Sequence, residues 1–207
     1  MQRLQSLESE GGMSKKLTEQ QIKLAALGSG IPYAALRAVI DVEVGNRSGF
    51  NADGTPTILF EPHILWRELG NANYITKRKQ LADLFPDICS QTWNKSLYNV
   101  RPQHQKLYVA SVLHWEAAHK SCSWGIGQVM GFNAPSLGYK SIKEFVDAMH
   151  ESEAKQLDAM IRFITVNNLK GALIRKDWAA FAKGYNGSGY RANKYDDKLA
   201  AAYRKYI

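Results

Sequence analysis

Cysteine, metal-binding motifs and long apolar runs are scarce in this sequence, and each shortage excludes a class of protein. Its 207 residues include two cysteines, Cys89 and Cys122, which are too few for a disulfide framework but leave one bridge possible. Neither cysteine lies in a CxxC motif, and no histidine pair has the HExxH spacing of a zinc site. We therefore expect no metal and no other cofactor.

The N terminus lacks the apolar segment of a signal peptide. It reads MQRLQSLESEGGMSKKLTEQQ, and nowhere does the chain contain the run of about 20 apolar residues that spans a membrane. The sequence predicts a soluble chain that is made in the cytoplasm. To act outside the cytoplasm, such a chain would need a separate route of release.

One domain is the expected organisation, because domains usually contain about 100–200 residues. We expect residues 1–16 to be a tail and residues 17–207 to form the domain. Lys and Arg number 27 against 19 Asp and Glu, which gives a formal net charge of +8. This charge favours a polyanionic partner, namely nucleic acid, anionic lipid or an acidic cell envelope, without choosing among them.

Apolar spacing and capping residues predict a mainly α fold with one small β-hairpin in the N-terminal third. Asp53-Gly54 is typical of the hairpin turn, with a returning strand at 57–60. Residues 71–102 are expected to form a long, partly helical connection. In the first half of the chain, helices are expected from a Thr18–Gln21 capping box to Gly28, from Pro32 to Gly45 and Asn46, and from Pro62 through Leu69. In the second half, helices are expected over 107–118, from Ser123, from Ser141, around 157–164, over 177–183 and through Leu199 to Tyr203.

Glu43 is the first candidate for catalysis. It follows Val39 by four residues and Ile40 by three, so it lies on the apolar stripe of its predicted helix, in the last turn. Burial and the negative end of the helix dipole both favour a protonated carboxyl, which is the form that a general acid needs. The alternative is a solvated glutamate at the rim of the apolar face.

Glu61 is a second acidic candidate, because it ends the predicted strand directly before Pro62. A simply solvated role is the alternative for this residue. Asp41 lies off the apolar stripe of its helix, and Asp53 is explained by the hairpin turn. Neither aspartate is therefore preferred over the two glutamates.

The segment 121–130, SCSWGIGQVM, is a candidate for ligand binding. A helix beginning at Ser123 would place Gly125 and Gly127 in its first turns, at a cost of up to about 1 kcal/mol each relative to alanine. Close approach of a ligand or of a neighbouring helix would explain these glycines. Gln128 offers a donor and an acceptor to a sugar amide or hydroxyl.

The segment 184–190, GYNGSGY, is predicted to be a loop between helices. Tyr185 could stack on the face of a sugar, and Asn186 could hydrogen-bond an acetamido group. The alternative is a flexible turn whose tyrosines fold back onto the core.

Taken together and in order, these segments resemble a known family. A glutamate at a helix end, followed by SWGIGQ and then GYNG, is similar to the lysozyme-like superfamily, which includes goose-type lysozymes and lytic transglycosylases. The chain more closely resembles the N-acetylmuramidase family of bacteriophage endolysins over about residues 17–207, through AVIDVEVGNRSGF, DGTPTILFEPHILWREL, SCSWGIGQVMGFN, FVDAM, SEAKQLDAM and DWAAFAKGYNGSGY.

The resemblance implies a lysozyme-like α+β fold and a monomeric endolysin that hydrolyses the β-1,4 bond between N-acetylmuramic acid and N-acetylglucosamine in peptidoglycan, for lysis of the host cell. Glu43 matches the glutamate that protonates the glycosidic oxygen, and Glu61 is the choice for a second acidic group. The expected walls of the sugar groove are Ser123, Trp124, Gly125, Gln128, Tyr185 and Asn186. The chain would act on the cell wall, in the periplasm, after its release.

Two other functions stay open at this point. A lytic transglycosylase would use the same acid but take the muramic acid's own hydroxyl as the nucleophile, without a second carboxylate. A non-catalytic module would bind peptidoglycan through its basic surface. A nucleic-acid partner is not expected, because the basic C-terminal segment RANKYDDKLAAAYRKYI is at most a weak match to nucleic-acid-binding motifs. That segment could instead contact an anionic outer membrane.

Overall fold

The computed structural model describes residues 15–45 and 48–207. Within these ranges the mainly α prediction is confirmed. Most of the predicted tail and Asn46, one of the two residues predicted to end the second helix, lie outside the described residues. The α-helices are α1 (Glu19–Ser29), α2 (Tyr33–Val44), α3 (Pro62–Asn71), α4 (Ile75–Leu84), α5 (Gln103–Lys120), α6 (Ile142–Glu151), α7 (Glu153–Val166), α8 (Lys170–Arg175), α9 (Trp178–Asn186) and α10 (Tyr195–Tyr203), with short 3₁₀ helices at Lys95–Leu97, Gly131–Asn133 and Ser188–Asn193.

A small antiparallel sheet is formed by β1 (Ile58–Phe60), β2 (Cys122–Trp124) and β3 (Val129–Met130), in that order. Strand β1 is the returning strand that the sequence predicts after the Asp53-Gly54 turn. Its main partner is β2, with Leu59 opposite Ser123, rather than the segment before the turn. On that near side, the turn is closed by a single bridge between Phe50 and Pro56.

The prediction of a helix beginning at Ser123 is wrong, since this residue lies in β2. Ser123 pairs with Leu59 on one side and with Met130 on the other, so its backbone is committed to the sheet. Gly125 begins the turn between β2 and β3 with a φ of +64°. A glycine costs nothing in that conformation, which explains the residue better than an early helical turn does.

The capping box at the start of α1 is confirmed. The backbone N–H of Gln21 donates to Oγ1 of Thr18, and the N–H of Thr18 donates to Oε1 of Gln21. The helix continues through Gly28 to Ser29, and its C-cap is Gly30 with a φ of +65°. The predicted end at Gly28 is therefore two residues early, because the cap requires the left-handed conformation that Gly30 adopts.

Helix α2 begins after Pro32, as predicted, and places Glu43 in its last turn. Its apolar stripe packs inward, with Leu36 and Val39 fully buried. Helices α1 and α10 pack against α2, so the helix that carries Glu43 is held from two sides.

The long connection at 71–102 is partly helical, as expected, and contains α4 and the Lys95–Leu97 turn. Its second half is fixed by Lys106 of α5, which is fully buried. The ammonium of Lys106 donates to the carbonyls of Leu97 at 2.6 Å and Tyr98 at 3.0 Å, and burial lowers its pKa.

Two helix boundaries extend beyond the predicted ones. Helix α5 begins at Gln103 and contains a non-helical residue, His114, whose ring nitrogen accepts from the N–H of Ala117 and so restarts the helix. Helix α9 is capped by Asp177, as expected, but continues beyond Lys183 to Asn186. Tyr185 and Asn186 therefore lie in a helical turn and not in a loop.

Buried apolar side chains from Ile22 to Leu199 form a continuous core. Cys89 and Cys122 are both buried in it as unpaired thiols, so the bridge that the sequence left open does not form. Burial raises the pKa of the Cys89 thiol to about 12. No helix in the described ranges has the length and apolar character needed to cross a membrane.

Candidate active site

Glu43 lies half-buried at the end of α2, in a small pocket. The side-chain amide of Asn186, the last residue of α9, donates to Oε1 of Glu43 at 3.1 Å. This contact fixes the rotation of the carboxyl group and joins two predicted site residues that are far apart in sequence. The pocket is lined by Glu43, Val44, Ser48, Thr57, Gly125, Ile126 and Gln128.

A larger groove adjoins this pocket, since Gln128 lines both. The groove has a volume of about 330 Å³. Its walls combine aromatic rings with side-chain amides, which is the chemistry that binds the faces and the polar substituents of a sugar. The lining residues are Gly127, Gln128, Val129, Met130, Phe132, Asn133, Phe163, Asn167 and Tyr185.

Gln128 is held in place by its own hairpin. Its side-chain amide donates to the carbonyl of Gly125 at 2.8 Å, and its Oε1 accepts from the hydroxyl of Ser123 at 2.9 Å. Gln128 also has a positive φ of +46°, which turns the chain back into β3. Ser123 is buried, so it supports Gln128 from behind and does not face the groove.

Tyr185 closes the groove on the side of α9. Its hydroxyl donates to the carbonyl of Gly127 at 2.8 Å, and its ring stacks on Phe181 with a centroid distance of 5.3 Å. Burial, and then the nearby charge of Glu43, raise the pKa of Tyr185 well above its usual value. The phenol therefore stays protonated and keeps the hairpin loop attached to α9.

Trp124 does not line the groove, although the sequence places it among the candidate binding residues. Its side chain is 1% exposed. The indole N–H donates to the carbonyl of His119 at 3.2 Å, and the ring lies edge-on to Phe145. Trp124 points to the opposite face of β2 from the site and belongs to the core.

Glu61 is not brought to the groove or to the pocket of Glu43. It accepts a hydrogen bond from the hydroxyl of Tyr98, and its Oε2 lies 3.4 Å from Nδ1 of His63. Four residues of extended chain separate it from Thr57 of the pocket, a distance of about 13 Å at roughly 3.3 Å per residue. Burial, followed by the hydrogen bond to Glu61, raises the pKa of Tyr98.

Two residues of α7 hold the segment after Glu43 against the β2–β3 hairpin. Gln156, 1% exposed, donates to the carbonyl of Gly49 at 3.1 Å and accepts from the N–H of Ile126 at 3.0 Å. Glu153 accepts from the N–H of Gly49 at 2.8 Å. A Cβ atom on Gly49 would lie 2.0 Å from Oε1 of Gln156, so this close approach requires glycine.

Several of these residues escaped the sequence analysis. Phe132, Asn133, Phe163 and Asn167 complete the groove, yet no short motif contains all of them. Phe132 and Asn133 end the SCSWGIGQVMGFN motif at 121–133, which was the available signal. In the ranges that the structure describes, no three His, Cys, Asp or Glu side chains are grouped so as to hold a metal ion.

Comparison with known proteins gives a family and a structural relative for the chain. A family model described as N-acetylmuramidase matches residues 32–207. A crystal structure of the Burkholderia AP3 phage endolysin is 37% identical to the chain and superposes with a TM-score of 0.84, covering 93% of this chain and 72% of the endolysin. Among curated proteins, none gives a significant match.

Proposed function

This chain belongs to the N-acetylmuramidase family, whose members cleave peptidoglycan, and we propose that it hydrolyses the β-1,4 bond between N-acetylmuramic acid and N-acetylglucosamine with Glu43 as the general acid. The observation that carries the proposal is the position of Glu43. A half-buried carboxyl, held by the Asn186 amide, lines a small pocket that shares Gln128 with a groove of aromatic and amide walls. A general acid must lie within hydrogen-bond reach of the oxygen that it protonates, and in this proposal a glycan that extends from the groove into the pocket brings its glycosidic oxygen to Glu43.

Asn186 offers the substrate a second contact in this proposal. Its Oδ1 is buried and has no hydrogen-bond partner among the described residues, whereas its Nδ2 donates to Glu43. A buried acceptor without a partner costs about 1–3 kcal/mol. We propose that an N–H or O–H group of the sugar donates to this oxygen and removes that cost when the glycan binds.

The source of the nucleophile separates hydrolysis from the second candidate function. A hydrolase that inverts the anomeric carbon holds its second carboxylate about 6.5–9.5 Å from the acid, and a retaining one holds it at about 5–5.5 Å. Among the described residues, Glu43 is the only acid that lines either the pocket or the groove. This favours a lytic transglycosylase as the alternative, because that reaction uses a hydroxyl of the substrate. A role for Glu61 as the second carboxylate stays a prediction.

Mass spectrometry of fragments released from purified peptidoglycan tests the proposal, with Glu43→Gln measured alongside. We expect fragments that end in reducing N-acetylmuramic acid and that are lost in the variant. Fragments lighter by one water, with a 1,6-anhydro ring, would establish the transglycosylase. Persistence of the fragments in a folded Glu43→Gln protein would contradict the assignment of the acid, and a complete absence of fragments from the unmodified chain would favour a binding module.

We also propose that residues 17–207 act as one catalytic domain that lyses the host cell from within, with the excess positive charge holding the enzyme on an acidic envelope. Helix α10 packs on α2 through buried Leu199, which leaves Lys198, Arg204 and Lys205 exposed. These cations are suited to contact with an anionic outer membrane.

Glutamine at positions 198, 204 and 205 tests that contact. We expect external lysis of whole cells to fall by at least about threefold, since each of the three exposed charges contributes about 0.2–1 kcal/mol. Cleavage of purified peptidoglycan serves as the control and should be unchanged. An equal loss in both assays would mean that these cations support the enzyme and not the membrane contact.

A further inference from the structure

A second cavity lies between α4 and the segment 86–92, and it shares no residue with the groove. Its volume of about 690 Å³ is roughly twice the 330 Å³ of the groove. Most of its walls are polar, and its lining residues are Trp66, Arg78, Lys79, Ala82, Asp83, Pro86, Cys89, Ser90, Gln91 and Thr92.

Helix α4 contributes most of the charged side chains that line this cavity. None of its residues is buried. The helix carries three consecutive cations, Lys77, Arg78 and Lys79, and a single acid, Asp83. Leu81 and Ala82 pack against the core while only partly buried, so the cations of the helix lie on its more exposed side.

Arg78 is oriented but not neutralised. Its guanidinium lies 4.4 Å from the ring centroid of Trp66, and its Nη1 donates to the carbonyl of that residue at 3.1 Å. Its Nε is buried without a hydrogen-bond partner. Within the described ranges, the ion pairs include neither Arg78 nor Lys79, so the two cations and the single acid Asp83 leave the cavity with an excess of positive charge.

The opposite wall of the cavity is preformed. Ile88 and Cys89 are fully buried and anchor the segment in the core. The N–H of Ser90 donates to the carbonyl of Pro62 at 3.1 Å, and its hydroxyl donates to the carbonyl of Thr92 at 2.8 Å. These contacts hold Ser90 and its neighbours Gln91 and Thr92 in the wall of the cavity, so this side of the site need not reorganise when a ligand binds.

We propose that this cavity binds the carboxylate groups of the peptide stems of peptidoglycan. The inference rests on the proposed function, which makes peptidoglycan the substrate. The stems carry several carboxylates in a flexible polar chain, and a volume of this size is in the range of sites for small ligands. Arg78 recognises a carboxylate through its planar donors, and Lys79 adds a second charge. The cavity thus holds the stem while the groove holds the glycan.

Binding of a synthetic stem pentapeptide to the Glu43→Gln chain, measured by calorimetry, tests the proposal without catalysis. We expect saturable binding that Lys79→Gln weakens by about threefold to fivefold, as expected for an exposed ion pair. Lys77→Gln is the matched control, because it removes the same charge from the same helix but does not line the cavity. Conversion of the carboxylates of the peptide to carboxamides should weaken its binding to the Glu43→Gln chain at least as much as Lys79→Gln weakens binding of the unmodified peptide.

Three results would overturn the proposal. These are an equal loss in Lys77→Gln, undiminished binding of the amidated peptide, and tighter binding of inorganic phosphate than of the peptide. The last result would assign the cavity to a phosphate-bearing ligand. Because binding is measured in a variant with the proposed acid removed, failure of this inference is distinguishable from failure of the proposed function.

Kinetics give a second, independent test. On intact peptidoglycan we expect Lys79→Glu to raise KM several-fold with kcat unchanged, since the cavity shares no lining residue with the pocket of Glu43. On glycan strands stripped of their peptides, the variant should match the unmodified chain. An equal change on both substrates would contradict recognition of the stems.

Discussion

Glu43 and Glu61 are two partly buried glutamates with very different surroundings. Each carboxylate accepts a hydrogen bond from a side chain brought from elsewhere in the sequence, Asn186 for one and Tyr98 for the other. Glu43 lines a pocket that adjoins the groove, whereas Glu61 lines neither and joins the end of β1 to the segment before α5 through Tyr98. The comparison teaches that a partly buried acid becomes a candidate for catalysis through the space beside it.

Replacement of each glutamate by glutamine is the sharpest way to break this comparison. In Glu43→Gln we expect a loss of about 10²–10⁴-fold in peptidoglycan cleavage, which is the usual contribution of a general acid. The fold should be retained, because glutamine keeps an acceptor for Asn186. Turbidity of a peptidoglycan suspension measures the activity, and circular dichroism checks the fold.

Loss of the hydrogen bonds of Gln156, which hold the segment after Glu43 against the β2–β3 hairpin, should have the next largest effect. Gln156→Leu removes the partners of Gly49, Ile126 and Met149 from a buried position, and we expect unfolding to become easier by about 2–4 kcal/mol. Urea denaturation measures this change. Gln20→Leu on the exposed face of α1 is the matched control and should stay within about 0.5 kcal/mol. A loss of stability no greater than that of Gln20→Leu would mean that the hydrogen bonds of Gln156 do not hold the site together.

Glu61→Gln should have a smaller effect, on stability only. The hydrogen bond from Tyr98 then ends on a neutral acceptor, which we expect to cost about 0.5–1.5 kcal/mol in urea denaturation. Tyr98→Phe should cost a similar amount, because it removes the same contact. A loss of cleavage in folded Glu61→Gln as large as in Glu43→Gln would make Glu61 the second carboxylate after all.

Acidification should have the smallest effect, a loss of folding stability through His119, which lies next to strand β2. His119 lies stacked between Trp115 and Trp124, behind β2, and burial, with the neighbouring charge of His150, lowers its pKa from 6.5. The unfolded chain therefore binds the proton more readily, and stability falls as the pH drops through about 6.5, by less than about 1.4 kcal/mol per pH unit for one proton.

Thermal unfolding of the chain at pH 7.5 and 5.5, beside His119→Asn, measures this effect. The variant lacks the titrating ring and should lose less of its stability on acidification. An identical pH dependence of the two proteins would assign the effect to other groups.

The helices show how far a sequence pattern extends. Thr18 with Gln21, Ser141 and Asp177 cap helices where the sequence predicts them, since a cap depends on residues within one turn. The ends were less accurate, as Gly28 shows, because the residue that ends a helix depends on which glycine adopts the left-handed conformation. For the same local reason, the last turn of α2 and its glutamate could be located from sequence alone.

The hairpin at 122–130 shows where the pattern stops. Ser123 lies in a strand because β1 lies beside it, and β1 comes from a distant part of the chain. Its glycines fit a helix start or a turn equally well until that partner is known. The directions of Trp124 and Gln128 also depend on this pairing. Trp124 is in strand β2 and points to the face that packs on the core, whereas Gln128 is in the turn that follows and borders the groove.

The sequence by itself determined the mainly α class, the helix caps at Thr18, Ser141 and Asp177, the family, and the place of Glu43 in the last turn of α2, because each depends on local spacing or on motifs that can be read in order. Only the tertiary structure decided that Asn186 meets Glu43, that Phe132 and Phe163 line the groove, and that Glu61 and Trp124 lie outside it. Those facts depend on contacts between residues far apart in the chain, and no local preference specifies such contacts.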